Sequence, residues 1–224
     1  ASADASLEEG WFYEGAGIYR DVWLEKSAEV SVAPFGTFVY ADLQQPYAEA
    51  RLFIETEVCN SSLTVQQCEV IQRLLDANGQ EIGKSETTAL SLKAKQTIGC
   101  KQSIQISKPH LWSTTDPYLY QVETSVCLNG KVIDIYKTTT GIRDIAFDAE
   151  RGFILNGKPL KLKGVNIHQD HSGVGAAIPD ALQAWRIKQL KKFGCNAYRA
   201  SHNPMTPALL DVCDREGILV IDEL

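Results

Sequence analysis

Between Leu160 and Glu223 the sequence alternates strand-like and helix-like segments at a spacing that few folds allow. Three short apolar runs, at residues 160–167, 195–200 and 218–222, are separated by two helical patterns. This order predicts consecutive βαβ units and therefore a parallel sheet. Parallel neighbours need such helical crossovers, since a two-residue turn can join only antiparallel strands. The segment is therefore expected to be the start of a (β/α)₈ barrel.

Polar side chains follow the first two of these strands at the point where each strand ends. These candidate site residues are His168, Asp170 and His171 after the first strand, Arg199 at the end of the second strand, and His202 and Asn203 after it. In a (β/α)₈ barrel the carboxyl ends of the strands form the active face. The sequence has three of the eight strands that such a barrel needs. We therefore expect the chain to be part of an enzyme rather than a whole one.

The two helical patterns have recognisable ends. The first begins at Pro179-Asp180 and is capped by Gly194, and the second begins at Thr206-Pro207 and ends at Gly217. Thr is a favourable helix cap, and Pro suits the first helical position. The buried residues are predicted from the 3.6-residue period. They are Leu182, Trp185, Leu190 and Phe193 in the first helix, and Leu209, Leu210 and Cys213 in the second.

The preceding segment, residues 30–142, has an all-β pattern. Alternating apolar residues at 51–58 and 67–74 predict strands, and turn signals at 76–80 and at Asn129-Gly130 predict hairpins. Roughly seven short strands in about 110 residues is the size of an immunoglobulin-like sandwich. The predicted fold class is therefore an immunoglobulin-like β-sandwich followed by the first three βα units of a truncated (β/α)₈ barrel.

Composition excludes some partners and leaves other questions open. The net charge of −6 and the absence of a basic cluster argue against nucleic acid, because phosphate binding needs clustered Lys and Arg. No apolar run approaches the roughly 18 residues of a membrane span. The six cysteines form no Cys-x-x-Cys pair, so small buried thiols are the simplest interpretation. One disulfide within the β-rich half remains open, and so does the cellular compartment.

Three ordered blocks of the sequence resemble the family 2 glycoside hydrolases, which include β-galactosidases, β-glucuronidases and β-mannosidases. The blocks are residues 15–24; Trp112 to Tyr120 with Gly141-Ile-Arg143; and Asn156 to Pro159, Gly164 to His168 and Asn196 to Gly217. The resemblance implies three segments. Residues 1–29 would close a preceding sugar-binding jelly roll, residues 30–142 would form the sandwich, and residues 143–224 would open the catalytic barrel.

The resemblance also implies the chemistry. Family members are retaining enzymes, in which one carboxylic acid protonates the glycosidic oxygen and a second carboxylate attacks the anomeric carbon. In the family the acid is the Glu of an Asn-Glu pair after the fourth strand, and this chain contains no such pair. We expect part of a retaining exo-β-glycosidase, inactive alone, with no catalytic residue, metal or cofactor in this segment.

The substrate interpretation starts from the run His168 to His171 followed by Gly-Val-Gly, and from Asn203-Pro204, which resemble the β-galactosidase branch. Many members carry Tyr at the position of Asn203, so this residue bears on substrate choice. A β-glucuronidase and a non-catalytic carbohydrate-binding or spacer module remain alternatives. The expected partner is a carbohydrate with a terminal β-linked sugar.

Site roles follow from the same resemblance. His168 and His202 would line the −1 subsite, Asp170 would accept a sugar hydroxyl, and Arg199 would orient a catalytic carboxylate. The alternative interpretation makes each a structural residue of the barrel rim. Asp222 and Glu223 are adjacent on a strand and face opposite sides, so structural pairing with Arg or Lys is expected. Because an incomplete barrel exposes apolar strands, we expect a homo-oligomer.

Overall fold

The computed structural model describes residues 17–223, which form two compact units. The sandwich unit comprises residues 25–113 and 118–160. The barrel unit comprises, within the described range, residues 17–24, 114–117 and 161–223. The predicted fold class is confirmed: an antiparallel sandwich is followed by the beginning of a parallel α/β barrel.

Eight strands build the sandwich, one more than the rough count from the sequence. They are β1 (Val30–Leu43), β2 (Glu49–Asn60), β3 (Gln66–Leu75), β4 (Glu81–Lys84), β5 (Thr88–Leu92), β6 (Thr97–Ser107), β7 (Tyr120–Leu128) and β8 (Lys131–Thr140). One sheet has the order β1-β2-β6, and the other has the order β4-β3-β7-β8 with β5 also paired to β3. Both predicted hairpins are present, since β3 pairs with β4 and β7 with β8.

The inward side chains of the two sheets form two apolar clusters. One contains Leu52, Ile54, Leu74, Ile104 and Val122, among others. The other contains Val30, Val58, Val70, Cys100 and Val126, among others. Inward and outward residues alternate along β2, as the pleat of a half-buried strand requires.

Four buried polar side chains lie between the two clusters, each on a different strand. They are Thr56 on β2, Gln72 on β3, Gln102 on β6 and Thr124 on β7. On its strand, each has a member of one cluster two residues before it and a member of the other cluster two residues after it, on the same face. The Gln72 amide donates to Thr56 Oγ1 (3.0 Å) and to Gln102 Oε1 (3.1 Å), and Thr124 Oγ1 donates to Gln72 Oε1 (2.6 Å). We call these four residues the polar layer.

All six cysteines are free thiols, which answers the question of a disulfide in the sandwich. Cys68, Cys100, Cys127 and Cys213 are buried, whereas Cys59 and Cys195 are partly exposed. The interpretation of small buried side chains is therefore correct for four of them.

A small antiparallel sheet follows the sandwich strands and groups with the sandwich unit. It consists of β9 (Ile145–Asp148), β10 (Gly152–Leu155) and β11 (Lys158–Pro159). Asn156 and Gly157 turn β10 into β11 with φ values of 49° and 74°, in the left-handed region typical of a tight hairpin. Asn156 also accepts from the backbone N–H of Asp144 (2.9 Å) and donates to the carbonyl of Trp112 (3.0 Å). The domain boundary after residue 142 stays a prediction.

The barrel unit contains the predicted strand–helix alternation. Its elements are β12 (Gly164–Ile167), α1 (Asp180–Lys192), β13 (Ala197–Ala200), α2 (Pro207–Glu216) and β14 (Leu219–Ile221). The three strands pair in parallel, with Asn166 beside Arg199 and Arg199 beside Ile221. The helices cover one face of this sheet through a cluster that includes Ile187, Tyr198, Leu209 and Cys213.

Helix α2 follows its sequence signals closely. Thr206 Oγ1 accepts from the backbone N–H of Leu209 (3.3 Å), and Pro207 occupies the first turn. Gly217 ends the helix at φ 70°, and a side chain there would meet the Thr114 carbonyl at 2.5 Å. Glycine is therefore favoured at this position both by the left-handed backbone and by the lack of space for a side chain. Of the residues predicted to be buried, Leu209 and Cys213 are buried and Leu210 is partly buried.

The predicted buried face of α1 is wrong in part. Trp185 is 54% exposed and Phe193 is 85% exposed, whereas Gln183 and Ile187 are buried. The reason is a hydrogen bond, because Gln183 Oε1 accepts from Thr206 Oγ1 (3.1 Å). This bond to the N-cap residue of α2 stabilises Gln183 in a buried position. A pattern built from apolar residues alone misses a face centred on a glutamine.

The segment before the sandwich also differs from expectation. The strand predicted for residues 1–29 lies partly outside the described residues, and residues 17–29 form no strand. Its assignment to a preceding jelly roll stays a prediction. Of the two described helices, neither has the length and apolar character needed to cross a membrane.

Candidate functional site

The carboxyl ends of β12, β13 and β14 lie at one edge of the parallel sheet. The chain leaves this edge through two loops, residues 168–175 after β12 and residues 201–205 after β13. We call these segments the first and second rim loops. Because parallel strands end on the same side, residues distant in sequence meet there. Glu223, just after β14, joins them at this edge.

The two predicted sugar-lining histidines contact each other. The rings of His168 and His202 are 5.5 Å apart between centroids and nearly perpendicular, at 83°. Edge-to-face geometry is the arrangement that aromatic rings prefer. Each imidazole also carries one donor and one acceptor when neutral, which suits hydroxyl groups. The structure therefore brings both histidines together at the rim.

Glu223 connects His202 to Arg199. One carboxylate oxygen, Oε2, lies 2.8 Å from His202 Nδ1, and the other oxygen, Oε1, pairs with Arg199 Nη2. The hydrogen bond from His202 is the main cause, and Arg199 a further cause, of a Glu223 pKa below the usual value. A carboxyl with a lowered pKa is ionised at neutral pH and serves poorly as a proton donor. Glu223 is therefore a fixed anion that holds two cationic or hydrogen-bonding side chains.

The structural pairing predicted for Glu223 is thus confirmed through Arg199. Asp222 differs, because its Oδ1 accepts from the backbone N–H groups of Met205 (3.4 Å) and Glu223 (3.1 Å). The sequence predicts only a structural role for Glu223. The signal that could have found it is the one used for His168 and His202, namely a polar residue directly after a parallel strand.

The remaining predicted residues occupy the rim without joining this cluster. Within residues 17–223, no hydrogen bond or ion pair links the side chain of Asp170, His171 or Asn203 to Glu223 or Arg199. Asp170 contributes its backbone carbonyl, which accepts from Arg186 Nη1 (3.2 Å).

His171 stabilises the turn of the first rim loop. Its backbone pairs with Gly175 in both directions, at 3.0 Å and 2.9 Å. Its contribution within the described structure is therefore to the shape of the loop. Asn203 is exposed beside His202 in the second rim loop.

Ser201 is a rim residue that sequence reasoning missed. It is only 1% exposed, and its hydroxyl is buried without a hydrogen-bond partner among residues 17–223. A buried hydroxyl without a partner costs free energy, so such a group is an informative exception. Ser201 directly follows β13, so this hydroxyl lies at the carboxyl end of the strand, next to His202. No sequence pattern distinguishes it from an ordinary serine.

The second rim loop rests on a buried tyrosine. Tyr198 is 2% exposed, and its hydroxyl lies 3.2 Å from Met205 Sδ and 3.4 Å from the Ile167 carbonyl. Burial raises the pKa of Tyr198 to about 12. Tyr198 is therefore a neutral support that ties the end of β12 to the second rim loop.

The described residues offer hydrogen-bonding chemistry at this edge. Within residues 17–223, no group of three or more His, Cys, Asp or Glu side chains is arranged to hold a metal ion. The rim presents two imidazoles, a guanidinium and an ionised carboxylate. Such groups can bind the hydroxyls of a polar ligand by paired donors and acceptors.

Comparison with known proteins identifies the family. Residues 30–143 match the model of glycosyl hydrolases family 2, and residues 148–224 match the TIM barrel domain of the same family. A β-galactosidase of Bacteroides ovatus is 38% identical over 212 residues, which are 95% of this chain and 25% of that protein. A β-glucuronidase of Bacteroides fragilis is 31% identical and matches 93% of this chain and 30% of its own length.

A solved structure gives the same result. The crystal structure of a glycosyl hydrolase family 2 member from Bacteroides cellulosilyticus has a TM-score of 0.89 and 37% identity, and the match covers 96% of this chain and 30% of that one. The chain thus spans about a quarter to a third of the length of these relatives. With a family model matching more than half of its length, the chain belongs to glycosyl hydrolases family 2.

Proposed function

We propose that this chain is part of a retaining exo-β-glycosidase and that its rim forms one side of the subsite for the terminal sugar. The observation that carries the proposal is the His168, His202, Glu223 and Arg199 cluster at the carboxyl ends of parallel strands. In barrel enzymes this edge is where substrates bind. The names of the relatives, β-galactosidase and β-glucuronidase, give the same reaction class.

The proposed roles follow from the hydrogen-bonding capacity of each group. Glu223 Oε2 accepts a hydrogen bond from His202 Nδ1, so a neutral His202 carries its proton on Nδ1. The other ring nitrogen, Nε2, is then an acceptor for the proton of a sugar hydroxyl. His168, perpendicular to it, contacts a second hydroxyl of the same sugar. Hydrogen bonds to sugar hydroxyls that strengthen as the ring flattens stabilise the oxocarbenium-like transition state. Asp170 and Asn203 provide further hydroxyl contacts.

Glu223 is not one of the two catalytic carboxylates in this proposal. A general acid needs a raised pKa, and Glu223 has a lowered one because His202 and Arg199 stabilise its charge. The retaining reaction needs an acid and a nucleophile about 5 to 5.5 Å apart. We propose that both come from the part of the enzyme that follows residue 224, and that the 224-residue chain alone is inactive.

The sharpest test compares the chain with a longer protein. Purified 224-residue chain is expected to release no nitrophenol from a β-galactoside, whereas the protein extended through the remaining barrel strands is expected to do so. Turnover by the 224-residue chain above a mock preparation would overturn the proposal that both catalytic carboxylates follow residue 224. An extended protein that binds galactosides without turnover would instead support the non-catalytic module.

The substrate is proposed to be a β-galactoside before a β-glucuronide. The support is the sequence from His168 to His171 followed by Gly-Val-Gly, together with Asn203-Pro204. A glucuronide carries a carboxylate and favours additional cations in the subsite, yet Arg199 is already paired to Glu223. Parallel assays with nitrophenyl β-galactoside and β-glucuronide decide the order. A larger kcat/KM for the glucuronide would reverse it.

A further inference from the structure

The segment before the sandwich reaches the rim through one arginine. Arg20 Nη2 donates to the side-chain oxygen of Gln169 (3.1 Å) and to the backbone carbonyl of Pro204 (2.5 Å). These acceptors are 149 and 184 residues away in sequence. Gln169 follows His168 directly, and Pro204 is two residues after His202. A single guanidinium therefore connects the two rim loops that carry the histidines.

The first rim loop is also held by a second arginine. Arg186 of α1 donates to the backbone carbonyls of His168 (3.4 Å) and Asp170 (3.2 Å). Arg20 instead holds the side chain of the residue between them, and the Tyr19 hydroxyl lies 3.4 Å from the same Gln169 oxygen. Arg186 fixes the loop to its own helix, and neither of its two acceptors lies in the second rim loop. Arg20 differs in bonding to both loops.

We infer that Arg20 is a positioning residue for the His168–His202 pair. Hydrogen bonds from a charged donor are stronger than neutral ones, and a guanidinium carries its donors in a fixed plane. Arg20 thereby limits how far the two rim loops move apart, and the perpendicular contact of the imidazoles depends on that separation. The inference deepens the proposed function and, for its relevance to sugar, rests on it.

The test uses the whole chain, which has only four histidines and therefore a simple imidazole NMR spectrum. In the wild type, a nuclear Overhauser contact is expected between the rings of His168 and His202. Arg20→Ala should remove or weaken this contact. It should also raise amide exchange in residues 169–175 and 201–205 roughly tenfold, the loss expected for one charge-assisted hydrogen bond.

Two further variants control the experiment. Arg215→Ala removes another exposed arginine of the same unit, on α2. Among residues 17–223 it has no hydrogen bond or ion pair with either rim loop, so the substitution should leave the ring contact and loop exchange unchanged. Gln169→Leu removes one acceptor while Arg20 remains, and it should reproduce the change in the first rim loop. Combining it with Arg20→Ala should add nothing in that loop.

The outcomes separate this inference from the proposed function. An unchanged ring contact and unchanged loop exchange in both Arg20→Ala and Gln169→Leu would overturn the inference. Titration of the wild type with galactose reports on the proposed function independently: no shift of either histidine would count against the sugar subsite. If galactose does bind, Arg20→Ala should raise the Kd for galactose about tenfold, whereas Arg215→Ala should leave it unchanged.

Discussion

The two sheets of the sandwich and the parallel sheet of the barrel unit bury their apolar residues to very different extents. In the sandwich, Val70 and Val126 have no exposed surface, because each sheet covers the inner face of the other. In the parallel sheet, Val165 is 39% and Ile221 is 52% exposed, although both lie on strands. The two helices pack on one side of these strands. The antiparallel unit thus completes its own core, and the parallel unit does not.

The largest expected effect tests the polar layer of the sandwich. Gln72→Ala removes an amide that bonds to Thr56, Gln102 and Thr124, and it leaves a cavity between two sheets. We expect a loss of about 3 kcal/mol in the free energy of unfolding, measured by denaturant titration. Gln67→Ala, at an exposed position of the same strand, should change it by less than about 0.5 kcal/mol. Equal losses of unfolding free energy in the two variants would show that the polar layer contributes no more to stability than an exposed glutamine.

A matched pair of valines tests the comparison directly. Val70→Ala in the sandwich should destabilise its unit by about 2 kcal/mol, since a fully buried side chain loses contacts on every side. Val165→Ala in the parallel sheet should cost about 1 kcal/mol or less, because the valine is already 39% exposed. Native-state hydrogen exchange resolves the two units separately. An equal or larger effect at Val165 would mean that the parallel sheet is better covered than its surface suggests.

Acid sensitivity should distinguish the rim from the sandwich. The Glu223 pKa lies below its usual value in the folded protein, so this carboxylate stabilises the fold above its unfolded pKa. That contribution is lost as the pH falls through the lower, folded pKa. Between about pH 6 and about pH 3, the protection factors of amides in the barrel unit, which are corrected for the intrinsic pH dependence of exchange, should therefore fall more in the wild type than in Glu223→Gln. Parallel acid profiles of the two proteins would contradict this.

The smallest expected effect concerns thiol chemistry. Burial raises the pKa of Cys213 to about 12, and burial also raises those of Cys68 and Cys100. Because the thiolate is the reactive form, a disulfide reagent should modify the partly exposed Cys59 and Cys195 first. Mass spectrometry after brief labelling identifies the sites, and the denatured chain should label at all six. Early labelling of Cys213 would reveal opening of the helix-covered core.

Local signals predicted the elements of this chain well. Thr206 and Gly217 mark the ends of α2, and Asn129-Gly130 marks a hairpin, because capping and turn geometry depend on a few neighbouring residues. The parallel order of the last three strands followed from their spacing. Family resemblance, rather than pattern, supplied the proposed roles of His168 and His202.

Side chains whose partners are distant in sequence were the ones that reasoning missed. Gln183 is buried by a bond to the cap of another helix, and Trp185 is exposed as a consequence. Arg20 bonds to Gln169 and Pro204 at the rim, and Glu223 bonds to His202 in addition to the arginine pairing that the sequence predicted. A one-dimensional pattern treats such polar residues as solvent-facing, because it cannot contain the partner that makes burial or pairing favourable.

The polar layer has a consequence for how the sandwich strands align. A slip of one residue exposes the apolar face of a strand, but a slip of two residues restores the alternation and is not excluded by hydrophobicity. With the polar layer present, a two-residue slip of β3 would replace Gln72 by Val70 or Leu74 opposite Gln102 and Thr124. Several buried donors and acceptors would then lose their partners at once. The hydrogen bonds of the polar layer, which join four strands, thus favour the native strand register over a two-residue slip that would bury the same apolar face.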